Sequence, residues 1–189
     1  MAQRRAHWPE QLAVEPVAAL VFVDESGANT KMTRLRGRAL GGRRLLAHIP
    51  HGHYQTTTLI SGLRLEGYCA PWLFGGSMNG EMFLAWVRQG LAPRLRLGDV
   101  VILDNLSTHK IRGVRETIEA GGARLLYLPP YSPDFNPIER LWLRLKAEWF
   151  CDFIAKDREA LMLRLDQALQ WLIARTDANQ ITCTIKKEL

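Results

Sequence analysis

The sequence has 189 residues, of which 47% are hydrophobic and 23% are charged, and 25 Lys and Arg against 19 Asp and Glu give a net charge of +6. Folding of a chain this long buries roughly 70% of the surface that the unfolded chain exposes, so one domain with a hydrophobic core is expected. The composition excludes disordered and fibrous proteins.

The start of the chain predicts an arm or linker followed by a strand. Residues 1–15 show no clear hydrophobic period, which predicts an N-terminal arm or linker. Val17–Val23 is a short apolar run closed by Asp24, which is typical of a buried strand. The run is far shorter than the ~20 residues that cross a bilayer, so we expect no membrane helix and a cytoplasmic location.

A basic segment occupies residues 26–65, which contain no acidic residue. Arg34, Arg36 and Arg38 alternate at the two-residue period of a strand. Turns at Gly41-Gly42 and at Pro50–Gly52 enclose a second predicted strand. Clustered arginine in a basic protein indicates a polyphosphate partner, because neutralised phosphates release condensed counterions. The alternative is an exposed face that only keeps the protein soluble. The candidate phosphate contacts are the alternating Arg34, Arg36 and Arg38, then Arg43 and Arg44, and Lys146 further along the chain.

The rest of the chain alternates strand-like and helix-like segments. Thr56–Leu63 predicts a strand, Tyr68–Phe74 is a further strand or a loop, and Asn79 is suited to cap a helix. Val100–Leu103 has the pattern of a central strand buried on both faces. The later elements are a helix over about 110–120, a strand over Arg124–Leu128, a proline-rich loop over Pro129–Pro137, a helix over Ile138–Trp149, a helix over about 156–174 and a polar tail over 176–189. This order predicts an α/β fold with a mixed sheet covered by helices.

Three carboxylates occupy positions where a site can form. Asp24 and Asp104 each follow an apolar strand, and strand carboxyl ends are where open α/β sheets place their ligands. Glu139 lies one turn inside the helix after the proline-rich loop, with 34 residues between it and Asp104. Two unit charges ~4 Å apart repel by about 4 kcal/mol at an effective dielectric of about 20, so a cation must offset them. Such oxygen ligands suit Mg²⁺ or Mn²⁺, and a pair of these ions clamps both oxygens of an in-line phosphoryl displacement.

Each carboxylate also has a purely structural interpretation. An aspartate after a strand often caps a turn or a helix. Asn136, Pro137 and Glu139 match a capping box, in which Glu139 serves only the start of the helix. The three carboxylates together, with a basic segment between the first two, favour the metal site over these alternatives.

Three sequence blocks carry the carboxylates: Val23–Ser26, Leu103–Lys110 and Leu128–Trp142. They resemble the signature blocks of the DDE transposases, specifically the bacterial insertion-sequence branch related to mariner elements. The third block is highly specific, and the gap of 34 residues between the second and third carboxylates also matches the family. The resemblance runs over about residues 17–175 and indicates a catalytic domain over residues 16–175.

The resemblance implies a ribonuclease H-like fold with a mixed five-stranded central sheet, two Mg²⁺ ions, and cleavage and strand transfer at the ends of a mobile DNA element. It implies Asp24, Asp104 and Glu139 as the metal ligands, DNA as the partner, and a homodimer in the DNA complex. Asn105 and His109 match the second block as auxiliary residues. His109 is equally suited to packing or to capping the next helix.

Two departures from the family pattern define the functional alternatives. Family members carry an amino-terminal helix-turn-helix region, which residues 1–15 are too few to contain, and residues 176–189 do not resemble the usual family ending. We therefore expect end recognition to come from a separate helix-turn-helix chain of a split reading frame. The alternatives are a stand-alone nuclease and an inactive relic that binds DNA or dimerises.

Overall fold

The computed structural model describes residues 2–32, 37–44, 46, 53–150 and 153–175. These residues form one sheet with helices on both faces. The strands are β1 (Leu20–Asn29), β2 (Thr56–Arg64), β3 (Gly67–Gly75), β4 (Val100–Leu103) and β5 (Arg124–Tyr127). The helices are α1 (Ala2–Ala13), α2 (Gly80–Trp86), α3 (Val114–Ala120), α4 (Pro137–Trp149) and α5 (Arg158–Arg175).

The strand order is β3-β2-β1-β4-β5. The first three strands in sequence form an antiparallel meander, whereas β4 pairs parallel with β1 and β5 pairs parallel with β4. The chain passes through α2 between β3 and β4, and through α3 between β4 and β5. The predicted mixed five-stranded sheet flanked by helices is therefore confirmed.

Alternate residues of β1 contribute to two hydrophobic cores on opposite faces of the sheet. Leu20 and Phe22 pack in the first core, with residues of α1, α4 and α5. Val21 and Val23 pack in the second core, with residues of α2 and α3. Because side chains alternate along a strand, Asp24 continues the row of Leu20 and Phe22 and lies on the α4 face.

β1 is longer than the sequence predicts. The predicted strand ended before Asp24, but the observed strand continues because Asp24–Asn29 pairs antiparallel with Thr56–Ser61 of β2. Val17–Ala19, predicted as the start of the strand, forms a 3₁₀ turn instead. Asp24 therefore lies within a strand, just beyond the last residue that pairs with β4, and the interpretation of Asp24 as a turn or cap residue is wrong.

The first residues of the chain, predicted as an arm or linker, form the helix α1. Trp8 and Leu12 lie one helical turn apart and are buried in the first core, with exposed fractions of 3% and 1%. Two apolar residues with Pro9 between them are too short a pattern to reveal a helical period. None of the described helices has the length and the apolar content needed to cross a membrane.

Between β1 and β2, the described residues of the basic segment contain no strand. Residues 37–44 lie in loops and in a 3₁₀ turn at Leu40–Gly42, so the strand predicted to carry Arg38 is wrong at that residue. Gly41 and Gly42 have φ angles of 66° and 69°, in the left-handed region, which interrupts an extended backbone. Most of the second predicted strand, and the other two alternating arginines, lie outside the described residues. Tyr68–Phe74, a strand or a loop from sequence alone, belongs to β3.

We predict that Leu12→Ala lowers the free energy of unfolding by about 2–5 kcal/mol, the usual effect of truncating a fully buried leucine. Val14, which is 79% exposed, provides the matched control. Val14→Ala should change the free energy of unfolding by less than ~0.5 kcal/mol. Urea unfolding followed by circular dichroism measures both. Equal effects of the two substitutions would contradict the packing of α1 against the sheet.

Candidate active site

Neighbouring parallel strands bring Asp24 and Asp104 together. Three residues of β1 pair with three of β4: Leu20 with Val100, Val21 with Val101, and Phe22 with Ile102. When this register is extended by two residues beyond Phe22 and Ile102, Asp24 lies beside Asp104. All four residues of β4 are buried and apolar. Asp104 follows them directly as the first polar residue after the strand.

Glu139 reaches the same end of the sheet from the first turn of α4. Pro137 occupies the first helical position, as predicted, but the Asn136 side chain makes no cap hydrogen bond. Its Nδ2 donates to the Val23 carbonyl at 3.4 Å, and its backbone N–H donates to the Pro133 carbonyl at 2.9 Å. The capping-box interpretation is therefore wrong, and Glu139 lines the cavity that holds both aspartates.

The three carboxylates share one open cavity of about 600 Å³, referred to below as the carboxylate cavity. The proline-rich loop forms one wall, and Asn105, Leu106 and Lys110 close the cavity beside Asp104. Within the described part of the chain, no three His, Cys, Asp or Glu side chains form a ready-made group of metal ligands. The carboxylates thus face a common space without converging on one point.

Burial and mutual repulsion disfavour the ionised forms of Asp24 and Glu139. Burial raises the pKa of Asp24 well above its usual value, and the charges of Glu139 and Glu25 add to this effect. Burial also raises the pKa of Glu139, against the opposing charge of Lys146. Asp24 Oδ2 is buried and has no hydrogen-bond partner among the described residues. A buried carboxylate oxygen without a donor, among like charges, fits a hard divalent cation.

His109 connects Asp104 to Glu25 behind the cavity. Its Nδ1 lies 2.5 Å from Asp104 Oδ1, and its Nε2 lies 3.1 Å from Glu25 Oε2. Burial lowers the pKa of His109, but the two carboxylates outweigh burial and raise the pKa to about 9. The imidazole is therefore a cation at neutral pH. Burial raises the pKa of Asp104, but the hydrogen bond and charge of His109 outweigh it and hold that pKa below its usual value.

The surroundings of His109 decide between its two structural interpretations. The ring is fully buried and packs on Phe83, with 4.2 Å between the ring centroids, so the packing interpretation is confirmed. Gly113, not His109, precedes α3, so the capping interpretation is wrong. Glu25 belongs to the site through its contact with His109, which the sequence does not predict. Its partner is 84 residues away, and no local pattern indicates such a pair.

Asn105 and Lys110 form the rim of the cavity beside Asp104. Asn105 Nδ2 donates to the Leu128 carbonyl at 3.4 Å, and its Oδ1 accepts a hydrogen bond from Lys110 Nζ. Asp104 Oδ1 accepts the backbone N–H of Leu106 at 3.1 Å, which fixes the turn after β4. Asn105 thus ties this turn to the end of β5 and orients a lysine at the cavity.

Arg5 of α1 holds the proline-rich loop that leads into α4. Its guanidinium donates to the Tyr131 carbonyl at 2.9 Å and to Ser132 Oγ at 2.7 Å. It also donates to both carboxylate oxygens of Asp134, at 2.7 and 3.1 Å, and lies 5.0 Å above the Phe135 ring. Tyr131 has a φ angle of 55°, which is unfavourable for a residue with a side chain. Arg5 therefore stabilises a strained loop at the edge of the site.

The structure locates part of the predicted phosphate-contact set. Three of these residues are exposed in the described part of the basic segment: Arg38, Arg43 and Arg44. Two lie outside the described residues: Arg34 and Arg36. Lys146 is half-buried on α4 and acts electrostatically on Glu139. Phosphate contact by these residues stays a prediction.

A family model described as DDE superfamily endonuclease matches residues 19–162, which contain all three carboxylates. The chain therefore belongs to the DDE superfamily of endonucleases. No match is found among curated proteins. The assignment to a bacterial insertion-sequence branch stays a prediction.

Solved structures of the mariner transposase Mos1 resemble this chain. The Mos1 strand transfer complex aligns with a TM-score of 0.76 and 19% sequence identity, over 100% of this chain and 58% of that chain. The Mos1 paired end complex with Mg aligns with a TM-score of 0.74 and 17% identity, over 98% of this chain and 59% of that chain. The Mos1 catalytic domain aligns with a TM-score of 0.67 and 18% identity, over 98% of this chain and 86% of that chain. The fold is thus ribonuclease H-like, and this chain spans less than two thirds of the chains in the two complexes.

We predict that Asp24→Asn stabilises the metal-free protein at neutral pH. The raised pKa of Asp24 means that the folded protein binds a proton more readily than the unfolded chain, so ionised Asp24 disfavours folding. The advantage of the variant should shrink as the pH falls and the parent Asp24 becomes protonated. Thermal unfolding in EDTA across this pH range measures the difference.

Asp134→Asn is a control that should change the stability in the opposite direction. The hydrogen bond from Arg5 lowers the pKa of Asp134, so this substitution should decrease stability slightly at neutral pH. Destabilisation by Asp24→Asn in EDTA would contradict the electrostatic description of the site.

We predict that Arg5→Ala loosens the proline-rich loop. The amides of Phe135 and Asn136 donate to carbonyls within this loop, at 3.2 and 2.9 Å, and should exchange with deuterium at least about tenfold faster in the variant. Arg144→Ala is the control, because Arg144 is paired with Glu148 at 2.7 Å on the exposed side of α4. Equal exchange in parent and Arg5→Ala would show that the loop does not depend on the guanidinium.

Proposed function

We propose that this chain is the catalytic domain of a mariner-related DDE transposase, which cleaves DNA at the ends of a mobile element and transfers the cut strand to target DNA. The observation that carries the proposal is the single cavity lined by Asp24, Asp104 and Glu139. Membership of the DDE endonucleases and the likeness of the fold to Mos1 support it.

The cofactor that fits these residues is Mg²⁺ or Mn²⁺, with two ions expected. Asp24, Asp104 and Glu139 would hold the ions, and Asp24 offers an oxygen that has no partner among the described residues. When bound, the ions supply the positive charge that activates the attacking oxygen and stabilises the leaving oxygen. Mos1 complexes solved with Mg and with Mn support this choice.

The protein groups around the cavity position the carboxylates and the DNA backbone. His109 orients Asp104 through the 2.5 Å contact, and its packing on Phe83 restricts rotation of the ring. Lys110, at the rim, is placed to approach a phosphate of bound DNA. Hydrolysis of one phosphodiester leaves a 3′-hydroxyl. Attack by that hydroxyl on a target phosphodiester forms a new P–O bond and releases the 3′-oxygen of the target strand, so the strands join without a covalent protein intermediate.

DNA is the proposed partner, bound by a homodimer in the complex with element ends and target. The net charge of +6 and the exposed arginines of the basic segment suit a polyanion. Recognition of the element ends is assigned to a separate helix-turn-helix chain from a split reading frame. Three repelling carboxylates facing one cavity argue against an inactive relic, because nothing in a relic would retain them.

We predict that Asp104→Asn still folds, with some loss of stability because Asp104 pairs with the buried His109, and cleaves DNA about a thousandfold more slowly than the parent, since ~4 kcal/mol of transition-state stabilisation is lost. The assay follows Mg²⁺-dependent cleavage of a labelled DNA duplex that the parent protein cuts. Glu139→Gln should lose activity similarly, with stability kept within about 1 kcal/mol because Glu139 makes no cap hydrogen bond.

Asp166→Asn is the matched control, because Asp166 is an exposed carboxylate on α5 away from the cavity. It should cleave at the parental rate. Cleavage by Asp104→Asn within a few fold of the parent would exclude the proposed ligand set. Cleavage by the parent without any joined product would favour the stand-alone nuclease.

A further inference from the structure

A second cavity, of about 400 Å³, opens beside the carboxylate cavity, between α1 and the loops that follow β4 and β5. It is referred to below as the α1 groove. One wall includes Arg4, His7 and Trp8 of α1, and the other includes Asn105, Lys110 and Tyr127. The mechanism described above uses neither Arg4 nor Trp8.

The α1 groove has a basic lining. Arg4 and Lys110 contribute two cations from opposite walls, and no carboxylate among the described residues lines the groove. Lys110 is held in place, since its Nζ donates to Asn105 Oδ1 and lies 5.5 Å from the centre of the Tyr127 ring. A groove with cations on both walls favours an anion that passes between them.

Trp8, in the wall of the groove, carries a hydrogen-bond donor that lacks an acceptor among the described residues. Trp8 lines the groove and is only 3% exposed, and its indole N–H has no hydrogen-bond partner among the described residues. The indole N–H is a donor only, and a buried donor without an acceptor is unfavourable. A bound anionic oxygen would satisfy it.

The α1 groove is continuous with the carboxylate cavity, because Asn105, Lys110 and Leu128–Pro130 line both. A polyanion with one phosphodiester at the carboxylates would therefore place a neighbouring phosphodiester in the groove. We propose that the α1 groove binds a backbone phosphodiester of the DNA strand that is cut. Arg4 and Lys110 provide the positive charge, and the Trp8 indole N–H donates to a phosphate oxygen. This assignment rests on the proposed function of the carboxylate cavity.

The first test observes the Trp8 N–H by NMR. Protein labelled with ¹⁵N at its six tryptophans is titrated in EDTA with a short single-stranded oligodeoxynucleotide, and Trp8→Phe identifies the Trp8 signal. The Trp8 signal should move. The Trp86 signal should not, because the Trp86 N–H already donates to the Ala70 carbonyl at 2.8 Å.

Inorganic phosphate forms the second arm of this titration, because it offers the same oxygen chemistry without a strand. It should move the Trp8 signal only at much higher concentration. A Trp8 signal that ignores the oligonucleotide, or that responds equally to inorganic phosphate, would overturn the proposal.

The second test measures oligonucleotide affinity by fluorescence anisotropy at several salt concentrations. Trp8→Phe keeps an aromatic ring and removes the N–H, so it should weaken binding about tenfold, as expected for one hydrogen bond to a charged acceptor. Arg4→Ala should reduce the slope of log affinity against log salt by about 0.7, the value for one lost phosphate contact on a single strand.

Arg96→Ala is the matched control. Arg96 is an exposed arginine that precedes the first residue of β4, whereas Asp104 follows the last residue, and Arg96 is paired with Glu66 at 2.9 Å. This substitution should change neither the oligonucleotide affinity nor the slope of log affinity against log salt. Unchanged affinity and slope in both Trp8→Phe and Arg4→Ala would exclude the α1 groove, even if the parent cleaves DNA. An NMR response at Trp8 in a parent that never cleaves would instead support the groove and reject the proposed function.

Discussion

Repulsion among three carboxylates at one end of the sheet is the constraint on which the rest of the site depends. Pairing of β1 with β4 forces Asp24 and Asp104 side by side, and the start of α4 adds Glu139. The protein offsets part of this charge with His109 against Asp104 and with Lys146 near Glu139. Among the described residues, no cationic side chain compensates Asp24 in this way, and Asp24 is the most buried of the three. The remaining negative charge is what would attract the proposed metal ions to the cavity.

Local sequence patterns were sufficient to predict a mixed sheet and the positions of the three carboxylates, whereas the five-stranded form of the sheet followed from the family resemblance. Val100–Leu103 is apolar along its whole length, so both the strand and the polar position that follows it could be recognised without knowledge of the fold. The proline-rich loop and Pro137 marked the start of α4 in the same way. These features depend on neighbouring residues, which is why the sequence reveals them.

The features that the sequence did not reveal depend on contacts between distant segments. The end of β1 is polar and resembles a turn, yet its pairing with β2 keeps it extended. Asn136 has the composition of a helix cap, but its side chain reaches the Val23 carbonyl across the sheet. The contact of His109 with Glu25 joins residues far apart in the chain and on different elements. Tertiary packing, not local propensity, decides each of these.

The boundary of the catalytic unit follows from the packing of α1. The region matched by the family model begins at residue 19, but Trp8 and Leu12 fill the first core from outside that region. A shortened protein that began at residue 16 would expose the apolar surface that these two side chains cover. Exposed apolar patches promote self-association. Aggregation would then obscure any catalytic measurement on the shortened protein, although every carboxylate of the site would still be present.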